Sequence, residues 1–216
     1  MFPFFSSEEK EHIIRSTHSV SYKKGETVFS EGEPPAGLAY LSYGKVKVCR
    51  KGVLGKEQIV RLVPGCSLLG FRALCAGELY QASAKAIEPS LVCTVERGCF
   101  LSLMQANSAF ALSVLRHASR VLGLADLRMA ALLQKHVRAR LADSLLLLAD
   151  TCGMEDDRQT LCGQFSRSDL ANLSNMTTPN AIRTLSTFQR EGLLSFSRCT
   201  IRLLNIPAIC RISKHG

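Results

Sequence analysis

The sequence predicts an α+β protein in three parts: an N-terminal β-roll or jelly roll, a long helix, and a small C-terminal unit of helices with one hairpin. The boundaries fall at 1–106, 107–136 and 137–216. Three observations predict this: short strand-like runs at regular spacing, one unbroken stripe of apolar residues at heptad spacing, and a polar-faced helix followed by two short strands.

The β domain is predicted over residues 19–95. Its alternating runs are separated by glycine and proline, and they read SVSYKK, LAYL, KVKVCR, EQIVRLV, ASAKAI and SLVCTV. Val46 and Val48 alternate with Lys45 and Lys47, so one face points inward and the other to water. Turn signals this regular favour a barrel or jelly roll. The pattern leaves open whether its interior is solid or holds a small ligand.

The long helix is predicted over residues 107–134, capped by Asn107 or Ser108. Its stripe predicts a coiled-coil seam between two copies of the chain and consists of Ala111, Leu115, Ala118, Leu122, Ala125, Met129 and Leu132. A second stripe is predicted to pack on the barrel and consists of Phe110, Val114, Val121 and Leu124. The alternative is a helix buried within one chain, but two apolar faces need two surfaces to cover them.

The C-terminal part is predicted to begin with a helix over residues 137–149, with Leu141, Leu145 and Leu148 on one face. Ser166 or Ser168 then starts a short helix, and the chain breaks at Asn175. The next helix is predicted to be capped by Thr178, with Pro179 at its first position, and to stop at Gly192. Short strands at 193–196 and 200–204 follow. This order predicts a winged helix-turn-helix.

Charge supports a nucleic-acid partner for this part. The chain has 27 basic and 18 acidic residues, an excess that a merely solvated surface would explain equally well. From Thr160 onward, however, seven basic residues stand against two acidic ones. The second helix of the motif turns Ala181, Leu185 and Phe188 inward, which leaves hydroxyls, an amide and arginines outward to meet phosphates and base edges. The predicted DNA-binding residues are Arg167, Ser168, Thr177, Thr178, Asn180, Arg183, Thr187 and Arg198.

Compartment and thiol chemistry are constrained as well. The start MFPFFSSEEK lacks the basic region of a secretory leader, and the longest apolar block, residues 145–149, is far shorter than the roughly 20 residues of a membrane span. A cytosolic protein is expected. The nine cysteines are scattered without a CxxC motif, which favours small buried hydrophobes over a thiol enzyme or zinc module.

Over nearly its whole length the chain resembles the Crp/Fnr transcriptional regulators. The sensor part carries the resemblance in KKGETVFSEGEPPAGLAYLSYGKVKV, GKEQIVRLVPG, LLGFRAL and YQASAKA, and the C-terminal part in FSRSDLANLSNMTTPNAIRTLSTFQREGLL and IRLL. The resemblance implies a cyclic-nucleotide-binding-type β-roll, a long dimer helix, and a winged helix that binds DNA. It also implies a small-molecule effector and RNA polymerase as a further partner.

Two departures from that family concern the effector. In the cyclic-AMP-binding members a Glu and an Arg hold the nucleotide, and here those positions are Phe71 and Tyr80. A phosphate without its bidentate cation is costly to bury, which disfavours cyclic AMP unless Arg72 or Lys85 compensates. Phe71 and Tyr80 either pack in the core or line a pocket for a more apolar ligand. The candidate pocket residues are Gly70, Phe71, Arg72, Tyr80, Gln81 and Ser83.

The chain also departs from the family at the positions that would hold a cofactor and at those that would read DNA bases. The iron-sulfur members have clustered cysteines near the N-terminus, whereas here none precedes Cys49, so that cluster is disfavoured. Haem stays open, with His117 as a candidate axial ligand or, alternatively, an ordinary packed side chain. Relatives often have a Glu and a Ser where Pro179 and Ile182 stand. Those relatives read bases with the Glu, the Ser and an Arg. Of these three residues only the Arg is present here, as Arg183, so a different target sequence is expected.

The sequence therefore predicts a homodimeric, sequence-specific DNA-binding regulator with a sensor of unknown effector. One alternative is a regulator whose sensor no longer binds a ligand. A second is a cupin-like barrel enzyme, which would need clustered histidine and carboxylate ligands, whereas the only histidines flanking the barrel are His12 and His18.

Overall fold

A computed structural model describes residues 5–52 and 57–215. Its helices are α1 (Ser7–Arg15), α2 (Phe71–Ala76), α3 (Arg97–Ala106), α4 (Ser108–Gln134), α5 (Val137–Cys152), α6 (Arg167–Leu173), α7 (Thr178–Arg190) and α8 (Ile206–His215). Its strands are β1 (Thr17–Tyr22), β2 (Thr27–Phe29), β3 (Gly37–Tyr43), β4 (Lys45–Lys51), β5 (Glu57–Pro64), β6 (Ser67–Leu69), β7 (Ser83–Ala86), β8 (Ser90–Glu96), β9 (Leu194–Ser197) and β10 (Thr200–Leu203). The predicted α+β class is confirmed.

The eight N-terminal strands form two four-stranded sheets, in the orders β1-β8-β3-β6 and β2-β7-β4-β5. In the first sheet β8 pairs antiparallel with both β1 and β3. The six predicted strand segments all occur. Strands β2 and β6 were not predicted, because three residues each are too few to show an alternating pattern.

The inner strands of the first sheet, β8 and β3, are covered on both faces, whereas most of the edge strand β1 is exposed. Ala39 and Leu41 point into a core shared with Val46, Leu69 and Val92. The intervening positions of the same strands turn the other way and meet helices, in a second core formed by Leu38, Leu68, Phe100, Leu103 and Phe110 together with its neighbours. Because successive side chains of a strand alternate between faces, a sheet buried on both sides needs apolar residues throughout. This explains why LAYL is apolar at every position.

Helices α1, α2 and α3, which lie in or beside the predicted β-roll, were not predicted either. Helix α1 begins with a capping box, in which the Ser6 hydroxyl accepts from the Glu9 backbone N–H and the Glu9 carboxylate accepts from the Ser6 N–H. No single helix of the described residues is long and apolar enough to cross a membrane. Helices α3 and α4 reach that length and apolarity only as a pair, across a bend of 109°.

The long helix α4 matches the prediction closely. The Asn107 Oδ1 accepts from the Phe110 backbone N–H at 2.9 Å, which confirms Asn107 as the cap. Phe110 and Val114 are buried and Val121 is partly buried against the same core, as predicted. Leu124 is 61% exposed, so its predicted packing on the barrel is wrong. It is the residue of that stripe nearest the C-terminus, where α4 has passed the second core.

The chain divides into two compact units, one of Met1–Val48 with Val63–Leu127 and one of Cys49–Leu62 with Arg128–Gly216. In the second unit, α5 packs on α6, α7 and α8, and β9 pairs antiparallel with β10. The buried core of this unit includes Leu141, Leu145 and Leu148, as the stripe of α5 predicts. The three-part division stays a prediction.

Candidate nucleic-acid interface and sensor site

The turn between α6 and α7 is set by local hydrogen bonds. Helix α6 begins with a capping box between Ser166 and Asp169, which selects Ser166 over Ser168 as the start. Asn175 then adopts φ +51°, a left-handed conformation that asparagine tolerates better than most residues. The predicted break at Asn175 is thus confirmed, and it reverses the chain before α7.

Helix α7 begins one residue earlier than predicted. The Thr177 hydroxyl accepts from the Asn180 N–H at 3.4 Å, so Thr177 is the cap and the predicted cap, Thr178, is the first helical residue. The two adjacent threonines are equivalent in sequence, and the first turn tolerates proline at either position because its N–H groups have no partner within the helix. The helix ends at Arg190, with Glu191 as its C-terminal cap and Gly192 next at φ +70°.

Replacing the cap distinguishes the two threonines. We expect Thr177→Ala to lower the free energy of unfolding by about 1 kcal/mol, because the Asn180 N–H loses its acceptor. The matched variant Thr178→Ala removes an exposed hydroxyl and should change it by less than about 0.5 kcal/mol. Urea denaturation of both variants measures this. Equal losses, or a larger loss for Thr178→Ala, would mean that the cap is misassigned.

One face of α7 is buried and the other is open. Ala181, Leu185 and Phe188 are buried as predicted. The exposed residues are Thr178, Pro179, Asn180, Ile182, Arg183, Ser186, Gln189 and Arg190. Thr187 differs from its predicted outward position. It is half-buried, and its hydroxyl donates to the Arg183 carbonyl at 3.1 Å and accepts from Arg190 at 3.3 Å.

Arg183 lies at the middle of this open face. Its Nη2 donates to the Asn180 Oδ1 at 3.4 Å, a long bond within α7 that leaves the planar donor group exposed. Arginine in such a position has the fork of donors that matches the O6 and N7 acceptors of guanine. Asn180 and Arg183 together therefore offer base-reading chemistry on adjacent turns of one helix.

Two more predicted residues lie in or beside the wing, the hairpin of β9 and β10. Arg198 lies in the β9–β10 turn with φ +52° and is exposed. Arg167, at the start of α6, places its guanidinium 4.6 Å from the ring centroid of Phe196 on β9, while its neighbour Ser168 is exposed. This stacking ties the helix-turn-helix to the wing, and it was not foreseen from the sequence. Both arginines are exposed and carry positive charge at the protein surface.

Not every arginine counted in the C-terminal charge excess is equally available. Arg202 on β10 lies 3.6 Å from the Asp157 carboxylate. Hydrogen bonds from the Thr160 hydroxyl and from the N–H groups of Thr160 and Gln159, with the nearby Arg202 charge, lower the pKa of Asp157 to about 2. This carboxylate thus stays ionised beside Arg202 over the whole physiological range.

Two arginines of α5 that sequence reasoning missed hold the motif in place. Arg138 binds the Glu191 carboxylate through both terminal nitrogens and lies 4.9 Å from the ring centroid of Phe188. Arg140 donates to the Asn175 carbonyl at 3.1 Å, across the turn between α6 and α7. Their partners are 53 and 35 residues away, so no local pattern announces these contacts.

Within the second unit, Arg128 ties together three backbone segments. Its Nη1 donates to the Val60 carbonyl at 3.0 Å, and its Nη2 donates to the carbonyls of Ile59 at 3.2 Å and Leu173 at 3.1 Å. Burial lowers the pKa of Arg128, although the group keeps its charge. Gln58 also donates to the Asn172 carbonyl. The last turn of α6 is thereby fixed to β5.

In the sensor domain, Tyr80 is the residue at which the family resemblance places an Arg that holds the nucleotide. Tyr80 is buried and stacks on Phe29, with ring centroids 3.9 Å apart and an angle of 18° between the rings. The ring lies so close to Gly70, which has φ +62°, that a Cβ there would come within 2.6 Å of Tyr80 Cε1. Burial, followed by the nearby Glu33 and Tyr22, raises the pKa of Tyr80. An aromatic pair therefore occupies this corner of the roll.

The other candidate pocket residues are scattered in role. Phe71 is buried in the second core, between the first sheet and the helices, and its ring lies edge-on to the His117 ring of α4 with centroids 4.9 Å apart. Arg72 and Gln81 both donate to the Glu78 carboxylate at 3.0 Å, so Arg72, one of the two cations that could hold a phosphate, already has an anion. The Ser83 hydroxyl accepts from the Glu31 N–H at 2.9 Å. This placement favours core packing for Phe71, and the pocket assignment stays a prediction.

Metal chemistry has little support in the described part of the chain, where no three His, Cys, Asp or Glu side chains are grouped to hold an ion. His117, the candidate haem ligand, packs against Phe71. The nine cysteines are all reduced, and Cys49, Cys99 and Cys152 are buried. Expectations on cofactors stay predictions.

A β-roll joined to a helix-turn-helix with a hairpin wing defines the class: a DNA-binding protein with a sensor-type domain. Comparison with known proteins agrees. The cyclic nucleotide-binding domain model matches residues 19–107, and the Crp-like helix-turn-helix domain model matches residues 139–212. The chain belongs to the Crp/Fnr family of DNA-binding transcriptional regulators.

Similar proteins span nearly the whole chain. The CRP-like cAMP-activated global transcriptional regulator of Mycobacterium tuberculosis is 24% identical over 92% of this chain and 89% of its own. The transcriptional activatory protein AadR of Rhodopseudomonas palustris is 27% identical over 91% and 82%. Among solved structures, a CRP-family transcriptional regulator from Thermus thermophilus has a TM-score of 0.78 at 26% identity, covering 91% of this chain and 97% of that one.

Proposed function

We propose that this regulator acts in the cytoplasm as a homodimer, reads a specific DNA sequence through α7, and is controlled by a sensor effector other than cyclic AMP. The observation that carries the reading role is Arg183, exposed in the centre of the polar face of a capped helix whose other face is buried. Phosphate contacts are assigned to Arg198 in the wing and to Arg167 at the start of α6. RNA polymerase is proposed as a further partner on the family likeness alone.

The dimer proposal is supported by the apolar surface of α4. Leu115, Leu122 and Met129 are 61%, 63% and 59% exposed in the single chain. These side chains share one seam, and isolated soluble helices rarely expose such a row. Ala118, a small residue between Leu115 and Leu122, also packs against the second core, so the seam borders the sensor domain. A second copy of α4 would cover the row at the close approach that the alanines permit.

The effector proposal is supported by the filled corner of the roll. The Mycobacterium tuberculosis relative is described as cAMP-activated, whereas here the stacked Tyr80 and Phe29 rings occupy the corner beside Gly70. Arg72 is held by Glu78. A cyclic phosphate entering this site would lose water and would compete with Glu78 for Arg72, which opposes binding.

Titration with cyclic AMP tests this. We expect isothermal calorimetry to show no binding tighter than about 1 mM, near the −4 kcal/mol that unspecific contacts supply. DNA affinity should likewise be unchanged by the nucleotide. A cAMP-activated relative titrated in parallel is the positive control. A micromolar dissociation constant for this chain would contradict the proposal.

A sensor that no longer binds any ligand is the second candidate, and the Phe29–Tyr80 stack favours it because the rings fill space a nucleotide would need. Mass spectrometry and an absorption spectrum of the purified protein separate the two. A co-purified molecule or chromophore supports an effector. A measured mass equal to that of the polypeptide alone supports the ligand-free sensor only if DNA binding by the protein also needs no small molecule.

A further inference from the structure

A cavity of about 330 Å³ lies outside the β-roll, between the first sheet and the helices that cover it. All of its lining belongs to the first compact unit. Its floor is buried and apolar, with Leu38 and Leu68 from the sheet and Phe100, Leu103 and Phe110 from α3 and α4. Protein interiors are close-packed, and a dry engineered cavity of only about 150 Å³ already binds benzene. A cavity of this volume with apolar walls is therefore large enough to bind a small apolar molecule.

The alternation of side chains along the strands separates this cavity from the corner of the roll where Tyr80 stacks on Phe29. On β3, Leu38 and Tyr40 line the cavity while Ala39 and Leu41 face the interior of the roll. On β8, Cys93 and Val95 line it while Val92 faces inward. Because neighbouring residues of a strand point to opposite faces, the cavity and the corner holding Tyr80 lie on opposite sides of the same sheet.

The few polar groups of the wall are already engaged. The Thr17 hydroxyl donates to the Ile13 carbonyl at 2.5 Å. Burial, and then a hydrogen bond with Cys66, raises the pKa of Tyr40, so its phenol stays neutral. The interior consequently offers apolar contacts, and a ligand gains chiefly by leaving water.

The mouth is different, because α1 places Lys10 and Ile14 there and both are exposed. Among the described residues of the lining, Lys10 alone is charged. Within residues 5–52 and 57–215, no carboxylate pairs with its ammonium. An anionic head group seated at the mouth would meet this charge and remain partly hydrated, while an apolar tail fills the floor.

We propose that this cavity binds a compact apolar monocarboxylate, with its tail between the sheet and α3 and α4 and its carboxylate beside Lys10. Occupation would join α1, the sheet and the first turn of α4 through one ligand, because Phe110 belongs both to the floor and to that turn. The cavity lies on the opposite side of the first sheet from Tyr80.

Calorimetry of the full-length protein with decanoate tests the site, with decanol and decylamine as probes of equal chain length, all below the concentrations at which they form micelles. We expect one saturable site per chain for decanoate with a negative heat-capacity change, weaker binding of decanol, and the weakest binding of decylamine. Absence of saturable decanoate binding at millimolar concentration would overturn the proposal. So would equal affinity for all three compounds, since a non-specific apolar surface does not distinguish head groups.

Variants locate the binding. Lys10→Met should weaken decanoate about fivefold to tenfold and leave decanol unchanged, whereas the matched variant Lys23→Met, an exposed lysine elsewhere on the sensor, should change neither. Leu38→Phe adds volume to the floor and should weaken both compounds, with a thermal melt verifying the fold. If Lys10→Met leaves decanoate binding at its wild-type value, the proposed placement of the carboxylate is wrong, whatever happens to Leu38→Phe.

Discussion

Leu122→Glu should turn the proposed dimer into a folded monomer. Leu122 is exposed in the single chain, so a glutamate there is tolerated by the monomer and its fold should persist. In the dimer, two carboxylates would face each other across the α4 seam without partners. An uncompensated buried charge costs about 3 to 5 kcal/mol, which lowers the association constant by at least a factor of about 100. Sedimentation equilibrium at several concentrations measures this change.

Leu127→Glu is the matched control on the same helix. Leu127 is 71% exposed and lies five residues after Leu122, on the side of α4 away from the seam. This variant should keep the wild-type mass, and circular dichroism should show equal helix content in both. A Leu122→Glu protein that still sediments as a dimer would mean that the seam lies elsewhere.

Arg183→Ala should mainly erode sequence specificity. Loss of a bidentate pair with one guanine costs about 1 to 3 kcal/mol on the matched site and little on other sequences, so the variant should bind matched and mismatched DNA with nearly equal affinity. Arg183→Lys should behave similarly, because an ammonium lacks the fork of donors. Fluorescence anisotropy with matched and guanine-substituted duplexes measures the difference.

Arg198→Ala is the comparison that separates phosphate contacts from base reading. Arg198 lies in the turn of the wing, where a phosphate contact would weaken all sequences alike when lost. Its removal should also reduce the slope of log affinity against log salt by about one. If Arg183→Ala instead weakens every sequence equally, Arg183 positions the backbone and another residue reads the bases.

Local patterns sufficed where side chains repeat with a helix or strand. The burial of Ala181, Leu185 and Phe188 follows from spacing alone. For the cap of α4 the sequence left Asn107 and Ser108 as alternatives, and the structure selects Asn107. The pattern failed where two residues satisfy the same local rule, as with Thr177 and Thr178. It also failed for short elements such as β2 and β6, where three residues hold too little information.

Contacts between distant residues could not be predicted this way. Phe29 at the end of β2 stacks on Tyr80, which lies between α2 and β7. Arg138 binds Glu191, which is 53 residues further along the chain. Neither pair is linked by any periodicity, because the geometry that joins them exists only after the sheets and helices have packed. The same holds for the cavity beneath α1, whose walls come from three helices and four strands.

A dimer of this chain is proposed to read specific DNA through α7. Selection of preferred sequences from a random duplex pool, run in parallel for the wild type and Arg183→Ala, tests this proposal. The wild type should enrich a two-fold symmetric site with half-sites about 10 base pairs apart and one guanine conserved in each half. Arg183→Ala should lose that guanine and keep the spacing. A single asymmetric site, or enrichment of the same guanine by both proteins, would contradict the claim.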